Sequence, residues 1–143
     1  MIHAFTLRRH LDLMAQRGFA AAAVLEGTGI APERIQDRAY EISLEQRRAV
    51  TANMLRLTGN PALGLEFGKV TRISQFGPLG HLLLSSHSIW QQYESWLQYG
   101  EPLLGFPVAV KVLRNMDGSW SGFYQDPIPK GPEHIFNMEE LIS

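Results

Sequence analysis

The side chains able to do chemistry in this 143-residue chain are five histidines, at positions 3, 10, 81, 87 and 134, and a scatter of carboxylates, with no cysteine among them. Without cysteine there is no disulfide framework, thiolate nucleophile or Cys-based zinc site. His81 and His87 are the only near pair, and six residues on a helix turn them about 240° apart. No His-Glu-x-x-His or comparable cluster occurs, so neither a metal nor any other cofactor is expected. Ser85-Ser86-His87-Ser88 sets serine beside histidine in sequence, but adjacency does not make the spatial hydrogen bond of a triad, and a Gly-x-Ser-x-Gly elbow is absent. Glu66, Glu94 and Glu101 lie near aromatic residues, where an apolar pocket would raise a carboxyl pKa toward proton-transfer use. Nothing in the sequence gathers them into one cleft, so the residues do not point to an enzyme.

Two binding motifs can be weighed in the same way. Gly59-Asn60-Pro61-Ala62-Leu63-Gly64 spaces glycines as a phosphate cradle does, but it lacks the Gly-Lys-Ser/Thr ending and a preceding strand, so its glycines read as helix punctuation. Residues 25–38 have the outline of a helix-turn-helix, with Gly29 at the turn. The would-be recognition helix Pro32-Glu33-Arg34-Ile35-Gln36-Asp37-Arg38 carries as many acids as bases, which suits phosphate contact poorly and favours a packing motif. What remains is aromatic: Phe67, Phe76, Trp90, Tyr93, Trp96, Tyr99, Phe106, Trp120, Phe123 and Tyr124. Such rings fill cores by default, and they also line ligand pockets.

The elements that position these residues are mainly helices. Thr6 is placed to cap a first helix whose Leu7, Leu11 and Met14 recur at helical spacing, ending at Gly18. An alanine-rich helix over residues 19–26 closes at Gly27-Thr28-Gly29. Ser43-Leu44-Glu45-Gln46 has the form of a capping box and opens a helix to Thr58, with Leu44, Val50, Met54 and Leu57 facing inward. Gly59 supplies a left-handed stop, Asn60 a cap and Pro61 a restart toward Leu63, Leu65 and Phe67. Phe76-Gly77-Pro78-Leu79-Gly80 bends into an apolar helix over residues 81–86, on which His81 is expected in the core or lining a pocket. Ser88-Ile89-Trp90-Gln91 repeats the capping-box spacing and opens a helix with Ile89, Tyr93, Trp96, Leu97 and Gly100 on one stripe. The period then changes: residues 108–113 alternate as a strand, Asp117-Gly118 turns, and residues 120–124 return as its hairpin partner. A proline-rich loop over 126–132 leads to a last helix from Glu133.

Composition bounds the class. Apolar residues make up 45% and charged residues 19%, which is the balance of a folded globular protein. Thirteen basic against fourteen acidic residues leave a net charge of −1, which excludes a strongly basic wrapper of nucleic acid. No run of about 18 apolar residues could span a membrane, and the N-terminus lacks a signal-peptide core, so a cytoplasmic protein is expected. The fold class is α+β: a mostly helical N-terminal part followed by a β-hairpin that belongs to a small antiparallel sheet. A lone hairpin is marginal in water and the final helix has no stop signal, so the sheet is expected to be truncated and more chain or a partner to follow Ser143.

Gly27-Thr28-Gly29-Ile30, Ile42-Ser43-Leu44-Glu45-Gln46, the run from Thr58 through Gly59-Asn60-Pro61-Ala62-Leu63-Gly64-Leu65-Glu66-Phe67 to Gly68, and Phe76-Gly77-Pro78-Leu79-Gly80 carry a resemblance. In this order, followed by a helix ending in Tyr99-Gly100 and a hairpin, the chain resembles the N-terminal arabinose-binding-type domain of AraC-family transcriptional regulators from about Leu7 to Ser143. The resemblance implies one N-terminal effector-binding and dimerisation domain over residues 1–143. It further implies that DNA is bound only through helix-turn-helix units outside this chain. A small-molecule effector of unspecified identity and a homodimer are the implied partners, with no membrane. The expected ligand contacts are Phe76, His81, Trp96 and Tyr99, rings that exclude water and polar tips that orient the ligand. The alternative reading is a stand-alone helical protein-protein interaction domain.

Overall fold

The computed structural model describes residues 1–104, 110–124 and 131–142. In chain order its elements are β1 (Ile2–His3), α1 (Arg8–Gln16), α2 (Ala21–Val24), β2 (Glu41–Ile42), α3 (Leu44–Thr58), α4 (Leu63–Val70), α5 (Pro78–Leu84), α6 (Ile89–Leu104), β3 (Val110–Arg114), β4 (Trp120–Tyr124) and α7 (Pro132–Ile142). Short 3-10 turns lie at Ala4–Leu7, Pro32–Arg34 and Ile73–Phe76. The fold is the expected mostly helical α+β class. It is built as two compact units: Met1–Arg72 together with Lys130–Ser143, and Ile73–Pro129. The first unit is discontinuous in sequence, because α7 completes it after the chain has built the second.

In the first unit, α1 buries His10 and Met14, and with Leu7 at the end of the preceding 3-10 turn they make a stripe spaced by three and four residues. Thr6 does not cap this helix. It lies in the 3-10 turn Ala4–Leu7, where its Oγ1 donates to His3 O at 2.8 Å, and α1 starts without a side-chain cap. The short antiparallel pair β1–β2 joins Ile2 to Ile42 and His3 to Glu41. Two residues per strand are too few for alternation to be read from sequence.

α3 opens on the expected capping box: Gln46 N–H donates to Ser43 Oγ at 3.1 Å and Ser43 N–H to Gln46 Oε1 at 2.9 Å. The same Gln46 amide donates to Thr28 O at 3.2 Å, and Asn53 Nδ2 donates to Val24 O and Glu26 O at 3.0 and 2.8 Å. One face of α3 therefore holds the Gly27-Thr28-Gly29 loop, and α2 is shorter than the helix expected over residues 19–26. Residues 25–38 contain no recognition helix. Pro32–Arg34 is a single 3-10 turn, Arg34 stacks 4.1 Å over the Tyr40 ring, and the Tyr40 hydroxyl accepts from Ala31 N–H at 3.2 Å. This is the packing motif that its charge balance favoured.

Gly59 ends α3 in the left-handed region (φ 60°, ψ 15°), and Asn60 Oδ1 accepts from Ala62 N–H at 2.9 Å before α4 begins. α4 then packs against α7 at van der Waals limits. A Cβ on Gly64 would overlap Phe136 O and stand 2.8 Å from Glu139 Cβ, so only glycine admits α7 here.

In the second unit, Gly80 permits the same kind of approach: a Cβ there would overlap Ile73 O and lie 2.9 Å from Ile73 C. α5 is therefore pressed onto the turn Ile73–Phe76. Leu79 and Leu83 form the buried side of α5, and Phe76 and Trp96 pack against them. The expected stripe on α6 is only partly the buried one. Trp96 and Gly100 face inward along with Ser95, whereas Ile89 is 85% exposed and Leu97 is exposed too. Gln92 turns toward α5 and donates to Leu83 O at 3.1 Å. Ser88 Oγ accepts from Gln91 N–H at 3.1 Å as expected, and Gln91 Oε1 accepts in turn from His87 N–H, so only the reciprocal half of the second predicted box is one residue out of step.

The hairpin is antiparallel in the register Val110↔Tyr124 to Arg114↔Trp120 and turns at Asp117-Gly118. Ser119 donates its hydroxyl and its N–H to the Asp117 carboxylate, which lowers the carboxyl pKa. The expected start of the first strand at Val108, the ring of Phe106 and the loop over 126–130 lie outside the described residues.

Candidate functional site

The second unit contains all four residues expected to contact a ligand. Phe76 and Trp96 are brought together edge to face, with ring centroids 5.6 Å apart and planes at 87°. Both are half-buried and rest on Leu79 and Leu83. His81 departs from the core position its apolar helix suggested. Residues 79 and 83 take the buried side of α5, and position 81 lies about 200° round the helix from either, so its imidazole is exposed. Tyr99, one turn beyond Trp96 on α6, is also exposed, at 39%. Neither His81 nor Tyr99 stacks on the ring pair among the described contacts. Trp90 and Tyr93 form a second, tilted pair with centroids 5.4 Å apart.

The first unit has a polar centre that sequence reasoning passed over. His10 is 2% exposed, and its Nε2 lies 2.8 Å from Glu140 Oε1 and 3.3 Å from Arg9 Nη2. Arg9 donates to the same carboxylate oxygen and to Thr71 Oγ1, and Thr71 in turn donates to Phe67 O at 2.7 Å. One acid on α7 therefore ties two consecutive residues of α1. The imidazole stacks on Phe67 at 5.7 Å and tilts against Phe136 at 5.9 Å, and those two phenyl rings meet edge-on at 5.7 Å.

Burial pushes the His10 pKa well below its ordinary value, and the positive charges of Arg47 and Arg9 push it further down. His10 is therefore neutral at pH 7. Desolvation lowers Arg9 to about 10, which leaves it cationic at the same pH. His10 sits three residues after Leu7 and four before Met14, so its place on a buried stripe was readable from the sequence. Glu140, 130 residues away, was not.

Glu66 differs from the acid of raised pKa that its aromatic neighbours suggested. It is exposed and accepts from Arg17 at 3.0 Å and from Asn60 Nδ2 at 2.8 Å; these hydrogen bonds lower its pKa, Arg17 first. Arg17 also lies 5.0 Å above the Phe67 ring. Among the described residues, no three His, Cys, Asp or Glu side chains converge as a metal site would need, and no helix is long and apolar enough to cross a membrane.

Residues 18–142 match the family model for the N-terminal arabinose-binding domain of AraC transcription regulators, and the chain belongs to that family. It is a regulatory domain of the AraC type. Among curated relatives, the ornithine utilization regulator of Pseudomonas aeruginosa is 27% identical over 133 residues, covering 93% of this chain. The chain spans 39% of the length of that relative. The glycine motifs behind the resemblance now have physical roles, since Gly64 and Gly80 lie where one backbone segment touches another.

Proposed function

We propose that this chain is the effector-sensing part of an AraC-type regulator, binding a small molecule in its second unit and passing the occupancy to a DNA-binding part outside these residues. The observation that carries the reading is the half-buried pair Phe76 and Trp96 seated on Leu79 and Leu83, an aromatic corner at which a ligand can exclude water. His81 and Tyr99, exposed near the surface of α5 and α6, are the polar groups proposed to orient the ligand. The regulator acts by population shift, because an effector with unequal affinity for two arrangements of the domain changes their ratio. The domain is proposed to work as a homodimer. The exposed side chains of Ile89, Trp90 and Leu97 on α6 favour a second use of this helix, as a protein-protein contact surface.

The relative's name makes ornithine and related amino acids and diamines the first compounds to screen. A specific ligand at 100 times its Kd should stabilise the domain by about 2.7 kcal/mol in a thermal-shift assay. Trp96→Phe and Phe76→Leu should each weaken that ligand tenfold or more, with the lost packing on Leu79 and Leu83 read separately as a lower unliganded melting point. Binding that survives substitution at all four positions would remove this site from the proposal. Sedimentation at micromolar concentration tests the dimer separately.

A further inference from the structure

We infer that α7 is a releasable strap: a helix fastened to α1 and α4 by Arg9, His10 and Glu140 that can leave its seat while α3 and α4 stay folded. Three observations converge on it. The fastening is concentrated, since Glu140 takes both Arg9 and His10 through one oxygen, and Phe136 closes the ring cluster with Phe67 and His10. The seat is shaped for close approach, since Gly64 leaves room for the α7 backbone and for no side chain of its own.

The third observation is topological. α7 belongs to the first unit but is joined to the rest of it only through the 57 residues of the second, Ile73–Pro129. Docking of α7 is thus an intramolecular association closed over that 57-residue connection. A change in the second unit shifts the docking equilibrium without touching a residue of the seat. This use of the strap rests on the sensing role proposed above; the strap itself does not.

Hydrogen exchange on the full chain, without any effector, tests the strap directly. α7 and α3 amides are followed in the parent, in Glu140→Gln, in Arg9→Gln and in the double variant. Glu140→Gln keeps the shape and removes the charge, and it should speed α7 exchange by about tenfold or more while α3 changes less than about twofold. The double variant should exchange no more than about twofold faster than Glu140→Gln alone, because the two residues act as one fastening. Should Glu140→Gln fail to fold, Arg9→Lys, which keeps the charge but loses the forked reach to Thr71 and Glu140, should give a smaller acceleration confined to α7. Equal acceleration of α7 and α3, or no acceleration of α7 in any folded variant, overturns the inference. Failure of the ligand screen overturns the sensing role and leaves this result standing.

Discussion

His10 is a neutral imidazole held inside a ring cluster between two arginines, and that placement has a pH consequence with a definite sign. The unfolded chain takes up a proton at this side chain near pH 6.5, whereas the folded chain resists it because desolvation, Arg47 and Arg9 all oppose a charge there. Its contribution to stability is complete above about pH 6.5 and is lost as pH falls from there toward the depressed folded pKa. The slope from this one residue approaches about 1.4 kcal/mol per pH unit. Arg9, lowered to about 10, keeps its charge throughout that window and adds no slope of its own. Urea unfolding at pH 7, 6 and 5 should show the parent losing stability on the acid side. His10→Phe, which keeps a ring against Phe67 and Phe136, should lose about one proton's worth less. An acid limb of the same steepness in both proteins would mean that other groups carry it.

At the scale of elements, the features legible in the sequence are those closed within a few residues. The Ser43–Gln46 box, the left-handed stop at Gly59 and the Asp117-Gly118 hairpin formed as expected, because their partners are neighbours in the chain, whereas Asn60 makes a turn onto Ala62 N–H instead of capping α4, which starts at Leu63, two residues beyond Pro61. The parts that were not legible depend on distant partners. Thr6 turns back to His3 because β1, paired with the distant β2 at His3↔Glu41, and the following 3-10 turn occupy the residues before α1. His81 points outward because Leu79 and Leu83 claim the inner face of a seven-residue helix, a choice that hydrophobicity alone leaves open among four leucines. The aromatic set divides for the same reason: Phe67 joins the first unit and Phe76 pairs with Trp96 in the second, so proximity in sequence did not define one pocket.

Gly64 makes a sharp test of tertiary against local preference. Helix propensity alone says that Gly64→Ala should stabilise α4 by about 1 kcal/mol. The new methyl would overlap the Phe136 carbonyl oxygen, a backbone atom that cannot turn aside, and crowd Glu139 Cβ, and overpacking of that kind costs about 1–3 kcal/mol. The expected outcome in urea titration is net destabilisation with the m-value unchanged. A more stable Gly64→Ala would show that α7 does not sit as close as its geometry requires.

For the whole molecule, the chain order decides what depends on what. The first unit is made from residues on both sides of the second, and its longest-range polar contacts, Arg9 and His10 to Glu140, bridge 131 and 130 residues. Short-range signals cannot encode such a closure, which is why the polar centre was invisible until the fold brought its members together. A chain ending at Pro129 keeps α1 to α4 and every element of the second unit but loses the strap. Its α4 then presents Phe67, fully buried in the intact chain, to solvent, and Arg9 and His10 lose their carboxylate. Removing Phe136 alone is worth about 3–5 kcal/mol by analogy with large-to-small core changes, so the melting point should fall by more than about 10 °C. Because α3 carries its own capping box and both α3 and α4 their own core positions, the loss of far-UV helical signal should be limited to the share of α7. A hydrophobic dye should bind the shortened chain, and a peptide of residues 131–142 added in excess should displace the dye and restore part of the lost stability. Complete loss of helicity would make α7 part of an indivisible core. An unchanged melting point would leave α7 with no hold on the first unit, and either result is incompatible with a strap that docks and releases.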